Sequence, residues 1–316
     1  MSKHNPDTQK TAPVVWLITD NKPGHRNQLA GLGRRLEDLA GARLFWLDTN
    51  TIKVPAWKAL LGVAPAVPAD LPAPRLIIAA GTGTHRLLLS LRRLPGARTA
   101  VLMKPSFPLA LVDAAIIPRH DGKQETDKIL LTEGAINTIT PGKRQPDARK
   151  GVILVGGPSK HYRWDNDSVL EQIQELIGQY PEWAWVISSS RRTPPELSER
   201  LATLKSPQVD FVTPEQTPPG WLEQQFRSAG ASWVTPDSVS MVFESITSGV
   251  PTGIFSLEAT PGSRVARGVA HLQKQQLAGF WPDHSSVMTG RQVNAKPLWE
   301  ADRAAHWLLP LIGQTR

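Results

Sequence analysis

Several short segments of this chain combine glycines, hydroxyls and cations in patterns suited to a phosphate-bearing ligand. The most specific is Thr235-Pro236-Asp237-Ser238-Val239-Ser240-Met241-Val242-Phe243-Glu244-Ser245, which follows an apolar run and leads to Gly249-Val250-Pro251. Asp237 and Ser238 are of the types that cap a helix. The N–H groups of such a helix start and the positive end of its dipole favour a diphosphate. Ser240 and Met241 fall in the first turn, and Glu244, farther along, suits hydrogen bonds from a ribose diol. Gly156-Gly157-Pro158-Ser159-Lys160 lacks the spacing of a Walker A loop, which disfavours ATPase chemistry and leaves a Gly-Gly turn able to touch a diphosphate. Ser190-Arg191-Arg192-Thr193 sets hydroxyls and two guanidiniums at a strand end, and arginine suits bidentate phosphate contacts; the same pair also fits a solvated helix start.

A second group carries candidate proton-transfer residues. In Lys22-Pro23-Gly24-His25, with Asn27 and Gln28 following, glycine closes a turn and His25 stands at a helix start, where it is either a base or an ordinary helix residue. Gly81-Thr82-Gly83-Thr84 allows close backbone approach of a ligand, or makes a tight turn in which Thr84 caps the next helix. Asp121, in Pro118-Arg119-His120-Asp121, is a second candidate base or part of a strand-end ion pair. Asp165-Asn166-Asp167 has the spacing of a metal-binding pair but reads as a helix start, so no metal is expected.

The elements that must position these residues alternate in the rhythm of a parallel sheet covered by helices. Strands are predicted at 14–18, 43–47, 75–80, 99–103 and 114–117, then at 151–155, 183–188, 209–212, 231–235 and 252–255. In a parallel α/β domain the loops after such strands gather at the carboxyl edge, where ligands bind. A polar stretch between them gives the organisation: a disordered tail at 1–12, a first domain at 13–140, a linker at 141–150, a second domain at 151–295, and a terminal helical segment at 296–316. The segment 54–74 holds five prolines with Trp57, Leu60, Leu61, Val63 and Val67. It reads as a packed surface loop or as one facing a membrane or an acceptor.

The chain has 316 residues, 40% hydrophobic and 20% charged, which is enough apolar material for two cores. No apolar run is long enough to span a membrane, the polar start has no secretory pattern, and there are no cysteines. The cytoplasm is the expected compartment, with peripheral attachment at the inner face of the membrane as a further expectation. The net charge of +8 fits a phosphate-bearing substrate, an anionic membrane surface or nucleic acid. The cations are dispersed, with pairs at Arg34-Arg35, Arg92-Arg93 and Arg191-Arg192, and no nucleic-acid-binding signature is present, so nucleic acid is not expected.

In order along the chain, Lys22-Pro23-Gly24-His25 with Asn27-Gln28, His120-Asp121, Thr132-Glu133-Gly134-Ala135 with Asn137, Gly156-Gly157-Pro158-Ser159-Lys160, Ser190-Arg191-Arg192-Thr193, and Thr235 to Met241 with Glu244 form one set. That set resembles the bacterial branch of the family named after the plant elongated-mitochondria fission factor, over residues 14 to 290. The resemblance implies an α/β fold of the GT-B type: two Rossmann-like parallel-sheet domains facing a cleft, with a C-terminal helix returning toward the first. It also implies a metal-independent glycosyltransferase that uses a nucleoside-diphosphate sugar as substrate and needs no cofactor; the net positive charge and the apolar segment 54–74 point to a lipid-linked or lipopolysaccharide acceptor. His25 or Asp121 would be the base. Gly156, Gly157, Ser159, Lys160, Ser190, Arg191, Arg192, Asp237, Ser238, Ser240, Met241 and Glu244 would hold the donor. Lys22, Gly24, Asn27, Gln28, Gly81, Thr82 and Gly83 would line the acceptor side. A catalytically silent nucleotide-sugar-binding scaffold and a sugar-nucleotide epimerase are the alternatives.

Overall fold

The computed structural model describes residues 12–143, 148–290 and 298–313. Most of the tail expected at 1–12, the centre of the expected linker and residues 291–297 lie outside them. The chain divides into two compact units, one made of residues up to Thr138 together with Ala301 onward, the other of Ile139–Glu300.

In unit 1, β1 (Val14–Thr19), β2 (Arg43–Asp48), β3 (Leu76–Ala80), β4 (Arg98–Leu102), β5 (Ala114–Pro118) and β6 (Ile129–Thr132) form one parallel sheet in the order β2-β1-β3-β4-β5-β6. β1 and β3 are buried along their whole length, which is why their sequences are continuous apolar runs rather than alternating ones. α1 (Pro23–Ala40) starts on a proline, whose missing N–H would have had no helical acceptor, and stops at Gly41 in the left-handed region. Leu29, Leu32 and Leu36 are its buried stripe. The segment 54–74 is not all loop: α2 (Ala56–Leu61) forms there and packs on α3 (His85–Leu91).

Unit 2 holds β7 (Lys150–Val155), β8 (Tyr162–Arg163), α4 (Asn166–Gln179), β9 (Ala184–Ser189), α5 (Pro195–Ala202), β10 (Val209–Val212), α6 (Trp221–Arg227), β11 (Ala231–Val234), α7 (Val239–Thr247), β12 (Thr252–Ile254), β13 (Glu258–Ala259), α8 (Arg264–Lys274), β14 (Gly279–Phe280) and α9 (His284–Met288). Its parallel sheet runs β10-β9-β7-β11-β12-β14, and β8 pairs with β13 in a small antiparallel ribbon. Tryptophan fills this core where neighbouring strands lack a side chain. A Cβ on Gly151 would lie 2.2 Å from the Trp185 ring, and one on Gly253 would lie 2.5 Å from Trp233. The terminal helical segment expected at 296–316 holds α10 (Glu300–Gly313). It belongs to unit 1, where Asp302 meets Arg35 at 2.6 Å and Arg303 donates to the Leu131 carbonyl.

Candidate functional site

In unit 2 the chain starts at β7, builds outward through β9 and β10, then returns to the other side of β7 with β11. The loops after β7 and β11 therefore flank the point where strand order reverses, the usual position of a ligand crevice in such sheets. Gly156 and Gly157 follow β7, and both positions require glycine for lack of space. A Cβ on Gly156 would stand 2.2 Å from the Asp237 carboxylate, and one on Gly157 would stand 1.9 Å from the Arg192 carbonyl oxygen.

Asp237 does not cap α7. Its carboxylate turns inward, with no exposed side-chain surface, and accepts from Thr235 Oγ1 at 2.6 Å, the Gly157 N–H at 3.0 Å and Arg192 Nη2 at 2.7 Å. Thr235 Oγ1 in turn accepts the Gly156 N–H at 2.8 Å, and Arg192 Nη1 reaches the Gly157 carbonyl at 3.2 Å. Asp237 and Arg192 thus staple together the loops after β7, β9 and β11. Thr193 adds to the staple: its hydroxyl donates to Gly156 O at 2.6 Å and accepts the Ser190 N–H at 2.8 Å. Ser190 Oγ accepts the Arg192 N–H at 3.2 Å, which uses that hydroxyl to shape the turn.

Ser238 occupies the N-cap position of α7 but makes no side-chain cap either. The first-turn N–H groups, which have no acceptor within a helix, consequently lack a capping side chain. Ser240 is exposed, Met241 half-buried against the unit 2 core, and Glu244 stands one turn after Ser240 on the same face. Ser159 accepts the His161 N–H at 3.2 Å, and Lys160 is exposed beside it. Arg191 is exposed in the field of Glu215, whose carboxyl is held below its ordinary value by the Thr213 hydroxyl, by its own backbone N–H and by that guanidinium. The Asp165 carboxylate caps α4, accepting from the Asp167 and Ser168 N–H groups.

Tyr162, in the ribbon above these loops, escaped the sequence analysis. Burial first, and then the Asp237 charge, pushes its phenol up to about 12. The chain has only one other tyrosine, Tyr180, which is also raised by burial and by Glu182. A spectrophotometric phenolate titration is therefore expected to show a step near 12, which Tyr162→Phe should remove. Asp237→Asn should lower that step's midpoint; an unchanged midpoint would place the carboxylate out of electrical contact with Tyr162.

In unit 1 the order reverses between β1 and β3, and the loops after those strands meet in a compact arrangement. His25 Nδ1 lies 2.8 Å from Asp20 Oδ1, and the imidazole packs on Gly81, whose φ is +88°. A Cβ on Gly81 would fall 2.2 Å from the ring, and one on Gly83 would fall 3.0 Å from Asp20 Cβ. Asp20 is the residue the sequence analysis missed; the available signal was a carboxylate five positions before the histidine across a Pro-Gly turn. Its other oxygen is buried without a hydrogen bond, with the Lys22 ammonium at 3.6 Å. Burial would raise the Asp20 pKa, but the His25 hydrogen bond, the Lys22 N–H and the two neighbouring cations outweigh it and hold the carboxyl below its ordinary 3.8. A depressed carboxyl contributes stability above its unfolded value, and that contribution is lost only as pH falls through the lower folded value.

Asp121 lies in the turn that follows β5, a strand three places from β1 and so about 14 Å from it across the sheet. Asp20 is the carboxylate that orients His25. Lys22, Gly24 and Thr82 are exposed at the β1–β3 edge. Asn27 bonds Thr138 Oγ1 at 3.1 Å, and Gln28 reaches Met103 Sδ at 3.7 Å, so both help anchor α1. Thr84 does not cap α3; its hydroxyl donates to Gly81 O at 2.6 Å and closes the glycine turn.

Among the described residues no cluster of three or more His, Asp or Glu side chains could hold a metal ion, and no helix is long and apolar enough to cross a membrane. Two solved structures share the fold. A proposed UDP-N-acetylglucosamine 2-epimerase of Listeria monocytogenes matches with a TM-score of 0.56 and 11% identity, covering 93% of this chain and 94% of its own. The UDP-GlcNAc 2-epimerase of Methanocaldococcus jannaschii matches with a TM-score of 0.53 and 14% identity, covering 94% and 99%. In sequence, an uncharacterized protein of Rickettsia prowazekii, RP120, is 22% identical over 92% of this chain and 96% of its own length. The model of the family described as Mitochondrial fission ELM1 matches residues 23–311, nearly the whole chain. With two parallel α/β sheets of GT-B type and that match, the chain belongs to the Mitochondrial fission ELM1 family.

Proposed function

We propose that the protein is a metal-independent glycosyltransferase that takes a sugar from a nucleoside diphosphate and delivers it to a lipid-linked or lipopolysaccharide acceptor. The observation that carries the donor half is the start of α7, without a capping side chain, beside the Gly156-Gly157 turn that the Asp237–Arg192 pair holds in place. Backbone N–H groups so fixed bind a diphosphate without reorganisation and stabilise the charge that develops as it leaves. Lys160 and Arg191 add positive charge, and Glu244 accepts from the ribose. The likeness to the two epimerases supports a sugar nucleotide as the ligand of this edge.

In unit 1 Asp20 accepts the hydrogen bond of the His25 Nδ1–H, which leaves Nε2 to take the proton of an acceptor hydroxyl. The acceptor oxygen then bonds to the anomeric carbon, the bond from that carbon to the phosphate oxygen breaks, and its electron pair departs with the nucleoside diphosphate. The proton is retained on His25 until solvent or product removes it.

The first test is a thermal shift with the diphosphates of all five common nucleosides. At about 100 times its Kd the cognate one should stabilise unit 2 by about 2.7 kcal/mol, raising its Tm by roughly 5–10 °C. No shift with any of them would remove this proposal and every other enzyme of a sugar nucleotide. An epimerase, the reading the two related folds favour, would isomerise the donor with no acceptor present. A silent scaffold would bind and leave the donor intact. NMR of the donor with and without an extract of cell-envelope lipids separates the three.

A further inference from the structure

We infer that α2 is a docking element for an anionic lipid surface. Trp57, Leu60, Leu61 and Val63, all within seven residues, are 53, 77, 52 and 40% exposed. Apolar groups are seldom left so open unless something covers them. The knob is also rigidly built. Ala59 is buried beneath it, Gly62 closes the helix in the left-handed region, and Arg92 donates to the carbonyls of Ala59 and Leu60 at 2.5 and 2.7 Å while also holding Leu89 O of α3. A guanidinium that caps two helix ends at once fixes the apolar tips outward.

Charge decides the occupant. From Thr49 to Val112 the chain carries eight Lys and Arg (Lys53, Lys58, Arg75, Arg86, Arg92, Arg93, Arg98, Lys104) against one acid, Asp70. That is a net of +7, or +5 once the flanking Asp48 and Asp113 are counted, of the whole chain's +8, and Arg98 is paired with Asp113. Lys53, Arg86 and Arg93 are exposed, and the Lys58 ammonium sits 5.7 Å from the centre of the Trp57 ring. An apolar tip with an interfacial tryptophan, ringed by cations with long aliphatic stems, is the pattern that enters the headgroup layer of an acidic bilayer. A second copy would bring like charge against like. A helix of six residues cannot cross the bilayer, so the contact is peripheral.

The inference does not depend on the sugar-nucleotide proposal, and its test is separate. The full chain is sedimented with vesicles of phosphatidylcholine alone and of phosphatidylcholine with roughly a third phosphatidylglycerol. Wild type should partition onto the acidic vesicles and release at high salt, each cation at the surface contributing about fivefold. Leu60→Gln with Leu61→Gln, both on open surface, should lower partition roughly 10–100-fold, with Tm unchanged. Lys53→Gln with Arg93→Gln should lower it roughly 25-fold on acidic vesicles. Failure of wild type to bind acidic vesicles, or wild-type binding by the leucine variant, would overturn the inference. So would a dimer in sedimentation velocity that the leucine variant dissolves.

Discussion

His25→Ala is expected to slow sugar transfer by about 10²–10⁴-fold while leaving the nucleotide-induced thermal shift intact. The loss follows from the geometry in unit 1, where the imidazole is oriented by the Asp20 carboxylate at 2.8 Å and packs on the Gly81 backbone. Asp20→Asn should come close to the same loss, because a carboxamide no longer fixes the tautomer that leaves Nε2 free. Gly81→Ala provides an independent check that touches neither side chain. Its methyl would stand 2.2 Å from the ring at a φ of +88°, so it must displace the imidazole or strain the turn. The measurement is release of nucleoside diphosphate from the donor in the presence of acceptor lipids. Full turnover by the His25 variant would remove it as the base, and a matched loss of donor binding would assign it to the donor instead.

Asp237→Ala should be the most damaging single change in unit 2. The carboxylate has no exposed surface and serves three donors; without it the Gly157 N–H and the Thr235 hydroxyl lose their acceptor in a buried setting. Arg192 is 43% exposed and recovers much of its hydration, so the cost comes from the two neutral donors more than from the lost ion pair. A destabilisation of about 2–4 kcal/mol, roughly 5–15 °C in the unit 2 transition, is expected. Donor affinity should fall with it, since the loops after β7, β9 and β11 keep only the Gly156–Thr235, Thr193–Gly156 and Arg192–Gly157 bonds. Arg192→Ala separates the effects: Asp237 keeps its other two donors, so the staple opens only on the β9 side. If Asp237→Ala melted like wild type, the staple would be ornamental and the donor loops would owe their shape to something else.

The parallel sheets were legible because strands such as Val14–Thr19 and Lys150–Val155 are buried on both faces and leave continuous apolar runs. β6 was missed because Ile129–Thr132 is four residues set among charged neighbours, and β14 because two residues carry no period. Glycine and hydroxyl spacing located the loops after β1, β3, β7, β9 and β11, yet it misjudged what individual side chains do there. Asp237 and Thr84 have capping chemistry, but Asp237 spends it on the loop after β7 and Thr84 on closing its own glycine turn. Choosing between a cap and a cross-loop bond depends on which strands lie side by side, information held in the strand order and not in local sequence. Asp20 differs, since its partner His25 lies five residues on in the same turn, a spacing present in the local sequence.

The position of α10 bears on how the molecule is made. Arg303 bonds a carbonyl 172 residues earlier, and Ala304, Ala305 and Leu308 of the same helix are fully buried. A ribosome adding residues at typical speed needs roughly 10–30 s to cover that span. Through that interval unit 1 must wait with the seat of its last helix unfilled while all of unit 2 emerges and can fold as one continuous piece. Unit 1 is therefore begun before unit 2 and completed after it.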